Sequence, residues 1–282
     1  MIFDRNEKKQ VVALLGAGSM GTAIVRRIAA GKKILLGDIS EMALERVGDD
    51  FRRSGYDVET QVVNALERES IEAFAQRAAS LGPVMYFIDT AGASPNQASP
   101  EHIVALDMVG TGYAVDAFGR VMAEGGAGLI ISSQVAYMYP IPDEDELQIV
   151  NAATDELAAL PIVRNVAMQN SGLAYMIAKR VNHLQAQRAA ATTWRERRAR
   201  INTISPGIIV TPLAYDEFNA NGDGYQAMID ASAARRVASS DEIADAAAFL
   251  LGEHATFING TDLLIDGGVI ASLRTGMFKL QG

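Results

Sequence analysis

The chain has 282 residues, 49% of them apolar, and a formal net charge of −9, which suits a single large α/β domain over residues 1–282. The acidic balance argues against a general nucleic-acid partner, because phosphate neutralisation needs clustered cations. No Cys is present and the three histidines (His102, His183, His254) are scattered, so disulfides, thiolate catalysis and ordinary metal-ligand spacings are all excluded.

The N-terminal stretch from Met1 is charged and lacks a signal h-region, and no apolar run approaches the roughly 18 residues of a membrane span. A soluble, cytoplasmic protein with no membrane partner is expected. The first apolar run, Val11 to Leu15, reads as a strand and ends in Gly16-Ala-Gly18-Ser19-Met20-Gly21, after which helical spacing begins (Ile24, Ile28). Strand, Gly-rich turn and helix start is the context in which Gly-x-Gly-x-x-Gly means dinucleotide binding. Gly16 permits the tight turn, Gly18 lets backbone approach a pyrophosphate, and Gly21 lets helix pack on strand. The helix N-terminus then faces the phosphates. The bland alternative is a turn with no ligand.

The second strand, Lys33 to Asp38, argues against that alternative, because it ends in an acid 22 residues after Gly16. A carboxylate there accepts hydrogen bonds from an adenosine ribose and opposes a 2'-phosphate. No Arg or Lys lies within Gly16–Gly21 or directly after Asp38, where Ile39 and Ser40 follow, so NAD is expected rather than NADP. Arg26 and Arg27 fall deeper in the helix and are read as solvated.

Further strands are expected near 57–63, 84–88, 128–132, 200–205 and 262–265, with helices near 20–30, 41–53, 68–81, 100–123, 172–197 and 240–251. Ser99-Pro100-Glu101 reads as an N-cap, an N1 proline and a first-turn acid. The basic cluster Arg195, Arg197, Arg198 and Arg200 reads as a solvated helix end complementing the dipole. This alternation predicts an α/β fold, a doubly wound, seven-stranded and mostly parallel Rossmann-type sheet. Two stretches interrupt it, about 137–171 and about 212–237. The first carries short helical patterns near 144–150 and 154–160, and both are expected to be functional loops.

Tyr175 and Lys179 share one helix face, one turn apart. A phenol of reference pKa about 10 is a poor base at neutral pH, but an ammonium beside it favours the phenolate. The pair can then serve as a general acid/base.

With these residues in view, the chain resembles the short-chain dehydrogenase/reductase family over nearly its whole length. Ile131-Ser132-Ser133 resembles the family's serine-bearing strand end, and Tyr175 and Lys179 its Tyr-x-x-x-Lys motif. Ser205-Pro206-Gly207 through Thr211 is similar to its Pro-Gly turn, and Ile258 to Gly268 to its closing strand and Gly-Gly turn. The resemblance implies a metal-free hydride transfer between NAD(H) and a secondary alcohol or ketone. Tyr175 would be the acid/base, Lys179 would lower its pKa and bind ribose, and Ser133 would orient the substrate oxygen. It further implies cofactor contacts from Gly16, Gly18, Ser19, Met20, Gly21, Asp38, Ile39, Asn64, Ala65, Ala91, Gly92, Tyr175, Lys179, Pro206, Gly207, Ile209 and Thr211. A homodimer or homotetramer is expected.

Five departures stand out. The glycine loop is one residue shorter than usual for the family. Asp89-Thr90-Ala91-Gly92 replaces Asn-Asn-Ala-Gly, and Asn64-Ala65 stands where an Asp meets adenine. Asp107 replaces an Asn of the proton relay: it can pair with Lys179 and weaken its pull on Tyr175, or be neutral or water-linked. Finally, 42 residues separate Ser133 from Tyr175, a long insertion that reads either as a substrate lid or as an outward-packed surface element. Met138, Tyr139, Leu213, Tyr215 and Phe218 hint at an apolar pocket. Two other classes compete: a catalytically silent NAD-binding or regulatory protein, and a β-hydroxyacid-dehydrogenase-like enzyme. The strands expected at 200–205 and 262–265 count against the latter.

Overall fold

The computed structural model describes residues 8–277 and Lys279, with the side chains of 212–221 outside that description. The strands are β1 (Val11–Leu15), β2 (Lys33–Asp38), β3 (Asp57–Val62), β4 (Val84–Asp89), β5 (Met122–Ile131), β6 (Arg200–Pro206), β7 (Ile209–Val210), β8 (Ala238–Ser239) and β9 (Asp262–Ile265). β7 and β8 form a small ribbon, and the other seven make one sheet in the order β3-β2-β1-β4-β5-β6-β9. Every pairing in it is parallel.

The helices are α1 (Ser19–Ile28), α2 (Glu41–Arg53), α3 (Arg68–Leu81), α4 (Pro100–Ile103), α5 (Thr111–Gly119), α6 (Asp143–Asn151), α7 (Pro161–Asn165), α8 (Ser171–Ala191), α9 (Thr193–Glu196), α10 (Pro212–Ala231), α11 (Ser240–Leu251) and α12 (Val269–Arg274). β1 is buried on both faces. Val11, Ala13 and Leu15 pack with α3 and α5, whereas Val12 and Leu14 pack with α1, α2 and α11. That double burial is why β1 is continuously apolar rather than alternating. The strand order reverses between β1 and β4, and a crevice opens there at their carboxyl ends.

Several elements depart from expectation. The helix expected at 100–123 is α4 and α5 joined by a π-helical turn, Val104–Gly110, which contains Asp107. α5 stops at Gly119, and β5 starts at Met122 rather than near 128. The Gly125-Gly126 step, with Gly125 at φ 78°, lies where the register of β5 against β4 shifts, so the early part of β5 is an irregular strand. The segment after Pro212 is a helix, not a loop. Arg200 is not solvated: it is buried and donates to the carbonyls of Leu250, Leu251, Gly252 and Ile258, closing the C-terminal end of α11. Arg26 pairs with Asp50, and Arg27 ties α1 to α11 through Asp241 and Asp245.

The insertion carries an apolar face of its own. Ile149, Leu157, Ile162, Val163 and Ala167 pack with Ile177, Val181 and Leu184 of α8 and with Val104 and Met108 of the π-turn. Each large buried side chain of this kind contributes roughly 1.5–3 kcal/mol. Glu146 accepts from Arg180 at 2.7 Å, Thr154 donates to Asp116 at 2.7 Å, and Tyr113 donates to Asp155 at 2.7 Å. Among the described residues, none between 138 and 170 lines either cleft described below, so Met138 and Tyr139 do not form their walls. Leu213, Tyr215 and Phe218 lie outside the described side chains.

Candidate active site

The crevice at the strand ends is a cleft of about 530 Å³. Gly16, Gly18, Ser19, Met20, Asp38, Ile39, Asn64, Ala65, Ala91, Gly92 and Thr211 line it, which brings together residues from the ends of β1 to β4. Gly16 has φ +91°, and a Cβ there would sit 2.7 Å from Ala91 N, so a side chain would part the loop from the β4 turn. Gly21 does not line the cleft. A Cβ on it would lie 2.7 Å from Leu14 Cδ1, which fits its expected part in close helix–strand packing. Gly18, the extended residue before α1, would place a Cβ in open space, leaving its backbone approachable.

Asp38 is fixed from both sides, its Oδ2 accepting from Ala17 N at 2.7 Å and its Oδ1 from Ser40 N at 2.8 Å. A carboxylate has about four lone-pair sites, so acceptor capacity remains for ribose hydroxyls. Asn64 is engaged locally: its Oδ1 accepts from Leu66 N at 3.1 Å and its Nδ2 donates to Glu67 at 2.8 Å. It therefore braces the start of α3 while bordering the cleft. Arg46 and His102 also line this space. Arg46 escaped the sequence reading because it lies eight residues beyond Asp38, on the α2 face it shares with Ala43 at i, i+3 spacing.

A smaller cleft of about 170 Å³ adjoins the first, sharing Met20 and Thr211 with it. Ser133, Tyr175, Pro206, Gly207 and Ile209 line it. The end of β5 is pinned to α8 by Ser132 Oγ, which donates to Lys179 O at 2.8 Å. That bond sets Ser133 opposite the turn of α8 bearing Tyr175. Asn170 caps α8, accepting from Leu173 N at 2.9 Å, and Ser171 donates to Ala98 O at 2.8 Å. The helix start that carries Tyr175 is thus anchored twice.

Lys179 and Asp107 line neither cleft but sit buried behind Tyr175. Lys179 Nζ lies 5.3 Å from the Tyr175 ring centroid and 3.4 Å from Asp107 Oδ2. Asp107 thus meets Lys179 at ion-pair distance, while its Oδ2 makes no hydrogen bond among the described residues. Asp107 Oδ1 accepts from Ala93 N at 2.8 Å. The π-turn directs the Asp107 and Met108 carbonyls at α8, where Asn182 and Gln185 donate to them at 2.7 and 2.8 Å. Asn182 and Gln185 were not legible as site residues, since nothing in their neighbourhood signals a partner more than seventy residues away.

Asp89, also buried, accepts from Ala91 N at 3.0 Å. Burial works against the Lys179 ammonium, but Asp107, then Tyr175 and Asp89, outweigh it and hold the group above the usual lysine range. Burial likewise raises the Asp107 carboxyl, opposed by Lys179. Burial, helped by the charge of Asp107, pushes Asp89 up to about 7 against the Ala91 hydrogen bond and Lys179. Two buried carboxyls thus face one ammonium, and burial opposes the ionisation of both.

Known proteins resemble this chain over most of its length. A family model described as enoyl-(acyl carrier protein) reductase matches residues 160–270. The short-chain dehydrogenase/reductase bsc3 of Alternaria brassicicola is 37% identical over 268 residues, 94% of this chain and 97% of that protein. The chain belongs to the short-chain dehydrogenase/reductase family. As a member it is placed among oxidoreductases that use a nicotinamide cofactor. Galactitol 2-dehydrogenase (L-tagatose-forming) of Cereibacter sphaeroides is 27% identical over 266 residues, 91% of this chain and 93% of that one. The structure of a short-chain dehydrogenase/reductase from Serratia marcescens BCRC 10948 superposes with a TM-score of 0.73 at 20% identity, covering 93% of this chain and 98% of that one. That likeness bears on the fold of this short-chain dehydrogenase/reductase alone. Among the described residues no helix is long and apolar enough to cross a membrane, and no group of His, Cys, Asp and Glu is placed to hold a metal.

Proposed function

We propose that this protein is an NAD(H)-dependent dehydrogenase/reductase acting on a secondary alcohol or ketone. The observation that carries the reading is that Tyr175 and Ser133 line one cleft that opens, past Met20 and Thr211, into the glycine-loop cleft. A bound nicotinamide supplies or accepts the hydride. Tyr175 moves the proton at its phenolic oxygen, Ser133 orients the substrate oxygen, and Lys179 holds positive charge behind the ring. Gly16, Gly18 and the N-terminal end of α1 receive the pyrophosphate, and Asp38 accepts from the ribose. Asn64, Ala65, Ala91 and Gly92 border the rest of the nucleotide, and Pro206, Gly207, Ile209 and Thr211 wall the nicotinamide end. Gly92 fits this role, since a Cβ on it would crowd Asp107 and Lys179 at 3.3–3.4 Å.

Oxidation of a panel of cyclic alcohols, polyols and sterols with NAD tests the reading. A second reading, cofactor binding without turnover, is favoured by one observation: the Asp107 carboxylate offsets the charge of Lys179 at 3.4 Å. NADH binding with no turnover across the panel, unchanged by Tyr175→Phe, would establish it.

NAD is favoured by Asp38, and Arg46 is the counterweight that could serve a 2'-phosphate. Asp38→Ala is expected to weaken NAD binding by about tenfold, the equivalent of one or two charge-assisted hydrogen bonds, and to relax the bias against NADP. Titration of both cofactors by NAD(P)H fluorescence reads this. Wild-type preference for NADP, abolished by Arg46→Ala, would assign the pocket to the phosphorylated cofactor instead.

A further inference from the structure

Gln134 follows Ser133 directly and opens the single turn Gln134–Tyr137 that Ser133 caps. It is 4% exposed, yet it lines the same cleft as Ser133 and Tyr175. Its Oε1 is closed off from solvent and has no hydrogen-bond partner among the described residues. The other end of the amide gains little, since Nε2 faces Met228 Sδ at 4.0 Å, a weak acceptor. Buried amide oxygens are paired in folded proteins as a rule, and an orphan calls for a partner that arrives from outside. The rest of the cleft wall around Gln134 is mostly apolar or thioether, with Pro95, Val135 and Met228 nearest in kind. Ser132, Ser133, Tyr175, Thr211 and Tyr225 add hydroxyls to this wall, but Gln134 Oε1 is the buried acceptor left without a partner among the described residues, and such an atom favours a ligand that brings a donor to it.

We propose that Gln134 is a specificity residue whose amide oxygen accepts a hydrogen bond from a second hydroxyl of the substrate. This rests on the reading in which Ser133 and Tyr175 hold the reacting oxygen. A cleft of about 170 Å³ leaves room for only a short reach between the two oxygens. The proposal accordingly places the second hydroxyl on a carbon close to the reacting one. The substrate class is a small diol on the oxidation side and a hydroxyketone on the reduction side. Burial turns this into discrimination: an analogue without the donor leaves Oε1 unpaired in the closed complex, a loss that binding elsewhere does not recover.

A ladder of matched stereoisomers tests it: cyclohexane-1,2-diol offers a donor, 2-methoxycyclohexanol an acceptor only, and 2-methylcyclohexanol neither. In the wild-type protein kcat/KM is expected to favour the diol by about tenfold or more over both analogues. In the near-isosteric Gln134→Met the ratio should fall to within about threefold, and a ratio taken within one protein is insensitive to a general loss of activity. A wild-type ratio near one, a preference for the methyl ether, or a diol preference that survives Gln134→Met each overturn the proposal. A wild-type ratio near one overturns the proposal whether or not that variant folds, and Gln134→Leu takes its place in the comparison if it does not. If neither protein turns over any member, the dehydrogenase reading has failed separately. The same ladder read as binding to NADH-loaded protein then decides for Gln134: diol-selective binding lost in Gln134→Met supports it, and equal binding of the three ligands overturns it.

Discussion

Tyr175→Phe is expected to lower kcat by about 10²–10⁴-fold, the range general acid–base catalysis supplies, with NADH binding close to wild type. The substitution removes one hydroxyl and keeps the ring, so the contact of Lys179 Nζ with the ring face, 5.3 Å from its centroid, can persist. Lys179 itself makes a poorer probe. It is buried against Asp107, and removing one partner of such a pair costs about 3–5 kcal/mol because the other charge is left uncompensated. A Lys179→Ala protein that loses activity is therefore ambiguous between chemistry and unfolding, whereas Tyr175→Phe is not. Single-turnover rates with saturating cofactor measure the effect. Activity within about threefold of wild type would remove Tyr175 as the acid/base and leave Ser133 with no proton partner in the cleft.

Much of this architecture was legible, for identifiable reasons. β1 and the middle of β2 are buried on both faces, so they announce themselves as short apolar runs, and the glycine loop is marked by backbone demands that Gly16 and Gly21 meet. Less legible were features set by partners remote in sequence. The π-turn at Val104–Gly110 reads as ordinary helix, because its widening is matched by Asn182 and Gln185 on α8. The segment Asn219-Ala-Asn-Gly-Asp-Gly224 reads as loop by local propensity, yet α10 runs through it. Arg200 looks like one of a solvated basic run until the carbonyl ends of α11 are placed around it. In the site, Asp38 is marked by its distance along the chain from Gly16, whereas Arg46 lies eight residues further on within α2, where nothing local marks it. Gln134 carried no signal of its own. Its significance is an unpaired atom, which is a property of coordinates.

Asp89→Asn is expected to stabilise the protein, and to do so more at pH 8 than at pH 5. The carboxyl of Asp89 is raised from 3.8 to about 7 in the folded chain, chiefly by burial. Between those values the folded state keeps a proton that the unfolded state has released, so stability falls as pH rises through the window and the penalty is complete above about 7. At about 1.4 kcal/mol per unit, the full difference sets an upper bound of about 4 kcal/mol. Asparagine keeps an oxygen for Ala91 N–H and carries no charge to desolvate, so most of that pH dependence should vanish. Asp107→Asn acts on the same cluster in a different way. With Asp107 gone, Asp89 becomes the nearer carboxyl counterion of Lys179 and loses a like-charged neighbour, so its carboxyl ionises more readily and the window moves to lower pH. Thermal unfolding of wild type and both variants across pH 5–8 reads the two effects together. Parallel curves for wild type and Asp89→Asn would mean that Asp89 is ionised throughout.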